Sequence, residues 1–268
     1  MKKQSEVKCV SVNVNLTNRV RALLIGAALV LCLTTANYAA AQAGPPTVFL
    51  GSAGTFAVLA YAGVTNAGNS VVVGNLGTYP IASCTGLPTP CTGNGPGQVN
   101  GAVDAANVIA QDAQASLLIA YNDAAGRTTN PIGVAGDLGG QTLTPGLYKS
   151  TSTLALTGTL TLNGAGVYIF QVGSALNVAT GGTIVLSGGA TADNVFWQVG
   201  SSATLGTTAN FAGTIMALAS VTLGSGARLN GRALALNGDV TLIDNSVTVP
   251  IGSNTVLVVV PPPPRRRD

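Results

Sequence analysis

The stretch Ser202-Ala-Thr-Leu-Gly-Thr207 decides the fold, because it returns one short step later as Ser220-Val-Thr-Leu-Gly-Ser225. Two further copies flank the pair: Ala175-Leu-Asn-Val-Ala-Thr180 precedes it by a longer step, and Asp239-Val-Thr-Leu-Ile-Asp244 follows at nearly the same short one. Within each copy, apolar and small polar residues alternate, which is the period of a strand that shows one side to a core and the other to water. A strand that recurs about every 18 residues is the mark of a stacked parallel coil, whose rungs bury their apolar edges against one another. The alternation predicts interior columns Leu176/Val178, Ala203/Leu205, Val221/Leu223 and Val240/Leu242. It turns Asn177, Thr204, Thr222 and Thr241 outward, together with Ala175, Ser202, Ser220 and Asp239. Thr159-Leu-Thr-Leu-Asn-Gly164 reads as a weaker fifth copy. The long step from Ala175 to Ser202 predicts that residues 186–193 leave the coil.

One segment has a different period. Residues 101–125 contain no proline and no interior glycine, and Val103, Ala106, Ala110, Ala113, Leu117, Tyr121 and Ala124 recur at steps of three and four. They predict a helix with one buried side and with Asp104, Asn107, Gln111 and Asp112 on the other. Asn100 is its expected N-cap, Asp104 sits in the first turn, and Gly126 supplies a left-handed C-terminal residue.

Ahead of this body, residues 1–21 carry five basic residues against the single acid Glu6, and residues 22–33 are apolar or small. Tyr38-Ala-Ala-Ala-Gln-Ala43 follows. That order reads as a secretory signal peptide over residues 1–43, cleaved after Ala41 or Ala43. Its apolar run is shorter than the roughly 18 to 20 residues that span a bilayer, so the mature chain is expected outside the cell with no membrane span. Residues 44–250 then form the coil domain. In residues 251–268, Thr255-Val-Leu-Val-Val-Val260 and four prolines lead into Arg265-Arg-Arg267, read as a last strand and a polyproline II extension.

Cleavage would remove five of the twelve basic residues and one of the nine acidic ones, leaving a near-neutral chain with only Arg127, Lys149, Arg228 and Arg232 as cations in its body. No basic face for nucleic acid is expected. Beyond residue 43 there is no histidine and no glutamate. No catalytic residue, metal-ligand set or cofactor is therefore expected, and a solenoid lyase, which needs clustered carboxylates and a cationic base, ranks last among functions. Asp239, Asp244 and Arg232 read as solvated or locally hydrogen-bonded, and Phe170 and Trp197 as packing. Cys84 and Cys91 bracket Thr85-Gly-Leu-Pro-Thr-Pro90 and read as one local disulfide, since a zinc site would lack ligands.

Several stretches carry a family resemblance over nearly all of the mature chain. They are Leu50-Gly-Ser-Ala-Gly-Thr-Phe-Ala-Val-Leu-Ala60, Val73-Gly-Asn-Leu-Gly77, Ala120-Tyr-Asn-Asp-Ala-Ala-Gly-Arg127, Leu143-Thr-Pro-Gly-Leu-Tyr-Lys149, Tyr168-Ile-Phe-Gln171, Asn194-Val-Phe-Trp-Gln-Val199 and Leu229-Asn-Gly-Arg-Ala-Leu-Ala235. In this order and spacing the chain resembles the ice-binding-like proteins of bacteria and fungi. The resemblance implies a discontinuous, right-handed, three-faced parallel β-solenoid with the helix packed along one face. It also implies a flat, helix-free face that touches ice.

Ice presents a repeating plane of water, and a parallel coil can answer it with rungs about 4.8 Å apart and alternate residues about 6.6 to 7 Å apart. Threonine suits such a plane because its side chain is stiff and joins a methyl to a hydroxyl. Two candidate sets follow. One is Thr204, Thr222 and Thr241 with Asn177, flanked by Ser202 and Ser220. The other lies just past the strands, where Thr180-Gly-Gly-Thr183, Thr207-Thr-Ala-Asn210 and Ser225-Gly-Ala-Arg228 align; it is similar to the family's Thr-Ala/Gly-x-Thr/Asn motif. Thr180 and Thr183 fit that motif fully, Thr207 and Asn210 flank an unusual second residue, and Ser225 is followed by the charged Arg228. The expected partner of this chain, acting as a monomer, is the surface of an ice crystal. The alternative is a structural or adhesive module of the cell surface with no affinity for ice.

Overall fold

The computed structural model describes residues 44–250 apart from 89, 90, 93, 94 and 135. The expected signal peptide with its cleavage site and the tail from residue 251 lie outside the described residues. The coil takes three strands to complete each rung, and like strands stack in parallel into three faces. In stacking order, the first face contains Ile132–Gly133, Gly146–Ser150, Tyr168–Val172 and Val195–Val199. It continues through the later halves of Asn210–Ala217 and Arg228–Ala235 to Phe56–Ala60, Asn75–Thr78 and Val103–Ala105. The second face runs Gly136–Asp137, Leu154–Leu156, Leu176–Val178, Ala203–Leu205, Val221–Leu223, Asp239–Ile243, Gly63–Ala67 and Cys84–Thr85. On the third lie Thr142–Leu143, Thr159–Asn163, Thr183–Ser187, the earlier halves of the two long strands, Ser246–Thr248, Val71–Val73 and Gln98–Asn100.

The stack does not follow the order of the chain. Strands from residues 132–248 build it from one end, and strands from residues 56–105 then extend it, joined through Val58↔Ala233, Thr65↔Thr241 and Val71↔Ser246. The helix Val108–Gly126 connects the two ends, covering about 28 Å at 1.5 Å per residue. Where the two long strands turn from the third face to the first, Gly213 adopts φ +110°, and a Cβ on its stacked neighbour Gly231 would lie 1.9 Å from the Gly213 carbonyl oxygen. Glycine is the residue that permits both the bend and the stacking.

The expected interior columns are buried throughout. The first-face strands Phe56–Ala60, Tyr168–Val172 and Val195–Val199 are buried on both sides, which explains why they read as unbroken apolar runs rather than alternations. Inside, Tyr148, Phe170 and Trp197 stack on successive rungs with ring centroids 5.1 and 3.9 Å apart. The Trp197 indole N–H donates to the Ala212 carbonyl at 3.1 Å, so the aromatic pair is packing, as expected. Outside, the face is covered by Ala113, Leu117, Ala120, Tyr121 and Ala124 of the helix, resting on Phe56, Leu59, Ile169, Phe196, Met216 and Leu234.

The structure corrects several expectations. The helix begins at Val108, not near residue 101, and Asn107 caps it by accepting from the Ala110 N–H at 2.9 Å. Asn100 is a strand residue, and Val103–Ala105 is the last strand of the first face, where Val103 pairs with Leu76. Asp104 is therefore buried in that strand, with its carboxylate accepting from the Asn107 amide at 2.7 Å. Ala106, at φ +49°, separates strand from helix. Gly126 is the final helical residue without a positive φ, and the chain leaves it extended at Arg127. The weaker fifth copy, Thr159–Asn163, belongs to the third face; the second-face strand of that rung is Leu154–Leu156. Alternation is the same on both faces, so period alone could not separate them. Leu186 stays in the coil, paired with Leu162, and the extra residues form a Gly188–Gly189 turn and the 3-10 turn Ala192–Asn194. Of the two settings expected for Arg232, solvated or locally hydrogen-bonded, the structure shows the second: it is wholly buried and donates to the Gly54 carbonyl and the Thr214 hydroxyl.

Candidate functional site

The repeated strand places its outward residues in one line. Register pairs Asn177 with Thr204, Thr204 with Thr222 and Thr222 with Thr241 on the second face, which the helix leaves uncovered. The line then crosses onto the N-terminal strands, where Thr241 pairs with Thr65, Thr65 with Thr85, and Thr85 with Thr92. At its other end it reaches Ala155 and Asp137. Asn177, Thr204, Thr65, Thr85 and Thr92 are exposed, and Thr222 and Thr241 are half-buried. Adjacent rungs bring these side chains about 4.8 Å apart, so Asn177 to Thr92 covers about 29 Å.

Neighbouring rows keep this line open to solvent. On one side Ser202 and Ser220 form a ladder, the Ser202 Oγ accepting from the Ser220 N–H at 3.4 Å and the Ser220 Oγ from the Asp239 N–H at 3.2 Å. On the other side stand Ala179, Gly206 and Gly224. A Cβ on Gly206 would lie 2.6 Å from the backbone of residues 179 and 180, so no larger side chain rises beside Thr204; farther along the same row the half-buried Ile243 stands beside Thr241. Asp137 closes the row at the coil's end. Its carboxylate is held below its usual range by hydrogen bonds, first from the Thr157 hydroxyl and then from the Gly139 and Thr157 N–H groups.

The second predicted set occupies different ground. Thr180, Thr207 and Ser225 are exposed at the corner between second and third faces, stacked through bonds such as Gly181 N–H to the Thr207 carbonyl at 2.9 Å. Thr183 and Asn210 begin third-face strands, in register with Thr159 before them and Arg228 and Ser246 after. The Thr183 hydroxyl donates to the Gly181 carbonyl at 2.9 Å. The two sets are thus a column on one face and a border that turns the corner.

Sequence reading missed Thr65, Thr85 and Thr92. Gly63-Val-Thr-Asn-Ala67 alternates as Asp239-Val-Thr-Leu-Ile243 does, and the dipeptide Cys-Thr occurs at both 84–85 and 91–92. Those were the available signals. The Cys84–Cys91 disulfide is present. Among the described residues no group of three or more His, Cys, Asp or Glu side chains comes together, and no helix is long and apolar enough to cross a membrane.

The profile of the family described as ice-binding-like matches residues 58–248. An ice-binding protein of Nostoc sp. (strain HG1) is 44% identical over 204 residues, covering 74% of this chain and 73% of that protein. Among solved structures, an ice-binding protein from an Antarctic biological consortium superposes with a TM-score of 0.73 at 43% identity, covering 78% of this chain and 93% of that one. An ice-binding protein from an Arctic yeast, whose structure is described as the basis of its antifreeze activity, gives 0.71 at 36% identity over 79% and 98%.

Proposed function

The chain belongs to the ice-binding-like family, and from that premise we propose that it is a secreted, monomeric, non-catalytic protein that adsorbs to ice through the outward column of its second face. The observation that carries this reading is the line of one asparagine and four threonines, Asn177, Thr204, Thr222, Thr241 and Thr65, held in register by parallel strands. Each hydroxyl can hold a water and each stiff methyl limits its position, so adsorption is a sum of many water-mediated contacts spread over the line. The corner row Thr180, Thr207 and Ser225 borders the contact surface, and Thr183 and Asn210 turn away from it toward Arg228.

Uptake of the protein into a slowly grown ice hemisphere tests the reading, with thermal hysteresis as the second measure. Uptake above that of an inert protein of the same size is expected. Thr204→Tyr, which puts a ring in the middle of the column, should lower hysteresis several-fold without changing the melting temperature; Thr180→Tyr should lower it less. Exclusion from the ice, together with retention on cells or matrix, would instead favour a structural or adhesive surface module.

A further inference from the structure

The loop closed by Cys84–Cys91 does more than staple a surface turn. Cys84 pairs with Val64, so its side chain continues the interior column that includes Leu176, Ala203, Val221 and Val240. Cys91 is buried as well, and its neighbour Thr92 bridges Thr85 in parallel. Cys84-Thr85 and Cys91-Thr92 therefore form two successive steps of the coil, each with a cysteine inward and a threonine outward. The Cα atoms of the two cysteines are 4.8 Å apart, the ordinary spacing of neighbouring strands. At this end the column narrows to short strands, and a covalent bond replaces the apolar contact that a longer rung would supply.

Hydrogen bonds tie the outward residues to the same frame. The Thr92 N–H donates to the Cys84 carbonyl at 2.8 Å, the Gly86 N–H donates to the Thr92 carbonyl at 3.2 Å, and the Thr92 hydroxyl donates to the Cys84 carbonyl at 3.2 Å. That last bond limits the Thr92 rotamer, and the residue remains exposed.

We propose that Thr85 and Thr92 belong to the ice-contact surface: the Cys84–Cys91 bond sets them at rung spacing, where they serve as the last two contacts of the threonine column. This inference rests on the reading of the second face as the surface that adsorbs to ice. It assigns the disulfide a role in presenting the surface, in addition to any contribution to stability.

Four variants test it: Thr85→Tyr, Thr92→Tyr, the double variant Cys84→Ser/Cys91→Ser, and Thr204→Tyr as the mid-column reference. Thermal hysteresis and ice-hemisphere uptake are measured beside the melting temperature of each. Thr85→Tyr and Thr92→Tyr are each expected to lower hysteresis at least about twofold at unchanged melting temperature, and the cysteine variant to lower it by at least as much. If both threonine variants keep the parent's hysteresis while Thr204→Tyr lowers it, the loop lies outside the contact surface: the inference falls and the proposed function stands. If the protein binds ice and all three tyrosine variants match the parent, the second face is the wrong surface and both fall. If the cysteine variant folds and keeps the parent's hysteresis, the bond does not set the two threonines and the inference falls; should it fail to fold, Cys84→Ala/Cys91→Val, which keeps an apolar pair at these buried positions without the bond, takes its place.

Discussion

At the scale of single residues, Arg232 separates what local sequence predicts from what tertiary structure imposes. It alternates outward on Arg228–Ala235, which would place it in solvent, yet the 3-10 segment Gly51–Thr55 covers it. The guanidinium donates from Nε to the Gly54 carbonyl at 2.9 Å and from Nη1 to the Thr214 hydroxyl at 3.1 Å. Burial lowers its pKa to about 10, against the opposing pull of Asp193. At about 10 the group is still a cation at neutral pH. Arg232→Ala is expected to destabilise the protein by about 2–4 kcal/mol, read from urea unfolding, because it takes the donor from the buried Gly54 carbonyl and opens a cavity. Its burial was illegible in the sequence, since Gly54 and the rest of the covering segment belong to the opposite end of the described chain. By contrast Thr204, Thr222 and Thr241 were legible, because each sits between two apolar neighbours that fix which way it points.

At the scale of elements, the helix was found by its period and misplaced by its start. Val103 and Ala106 fit a 3.6-residue stripe, but the coil recruits residues 103–105 as a strand, and Leu76 opposite Val103 gives that strand its partner. A pairing with so distant a strand is not visible in a helical window. The true cap is Asn107, so Asn107→Ala should cost about 1 kcal/mol of stability, whereas Asn100→Ala should leave the helix unaffected. The helix's other end is held from outside: the Gln171 side-chain amide donates to the Ala124, Ala125 and Arg127 carbonyls at 2.7, 3.1 and 2.8 Å. The corner strands are less forgiving. Gly231→Ala would set a methyl against the Gly213 carbonyl, and a loss of about 1–3 kcal/mol, visible as a lowered melting temperature, is expected from the strain.

For the whole molecule, the repeat gave the stack and its inward columns, while the reordering of the chain needed the family resemblance. The period of the C-terminal copies does not reach residues 56–105, so nothing in the spacing tells that these strands extend the C-terminal end of the coil. The assembled body is short of groups that titrate near neutrality, as the chain has no histidine. Ice adsorption should therefore be the same at pH 6 and pH 8. Alkaline pH is different. Burial raises the phenol of Tyr168 to about 12 and pushes those of Tyr121 and Tyr148 upward too. An unfolded tyrosine ionises near 10, so stability is fully present below that pH and lost as pH rises toward 12, which a series of thermal melts at increasing pH would display. The junction between the two halves of the stack also dictates when the protein can fold. Asp244 accepts from the backbone of Asn69, far back in the chain, and the strands from 56 to 105 find their seat on strands between residues 228 and 248, which are synthesised well after them. A continuous repeat protein can acquire structure rung by rung during synthesis. This one must hold the strands of residues 56–105 in reserve until residue 248 has been made, so truncation after residue 223 should leave those strands without a seat and yield an unfolded polypeptide, and folding should be slow and all-or-none.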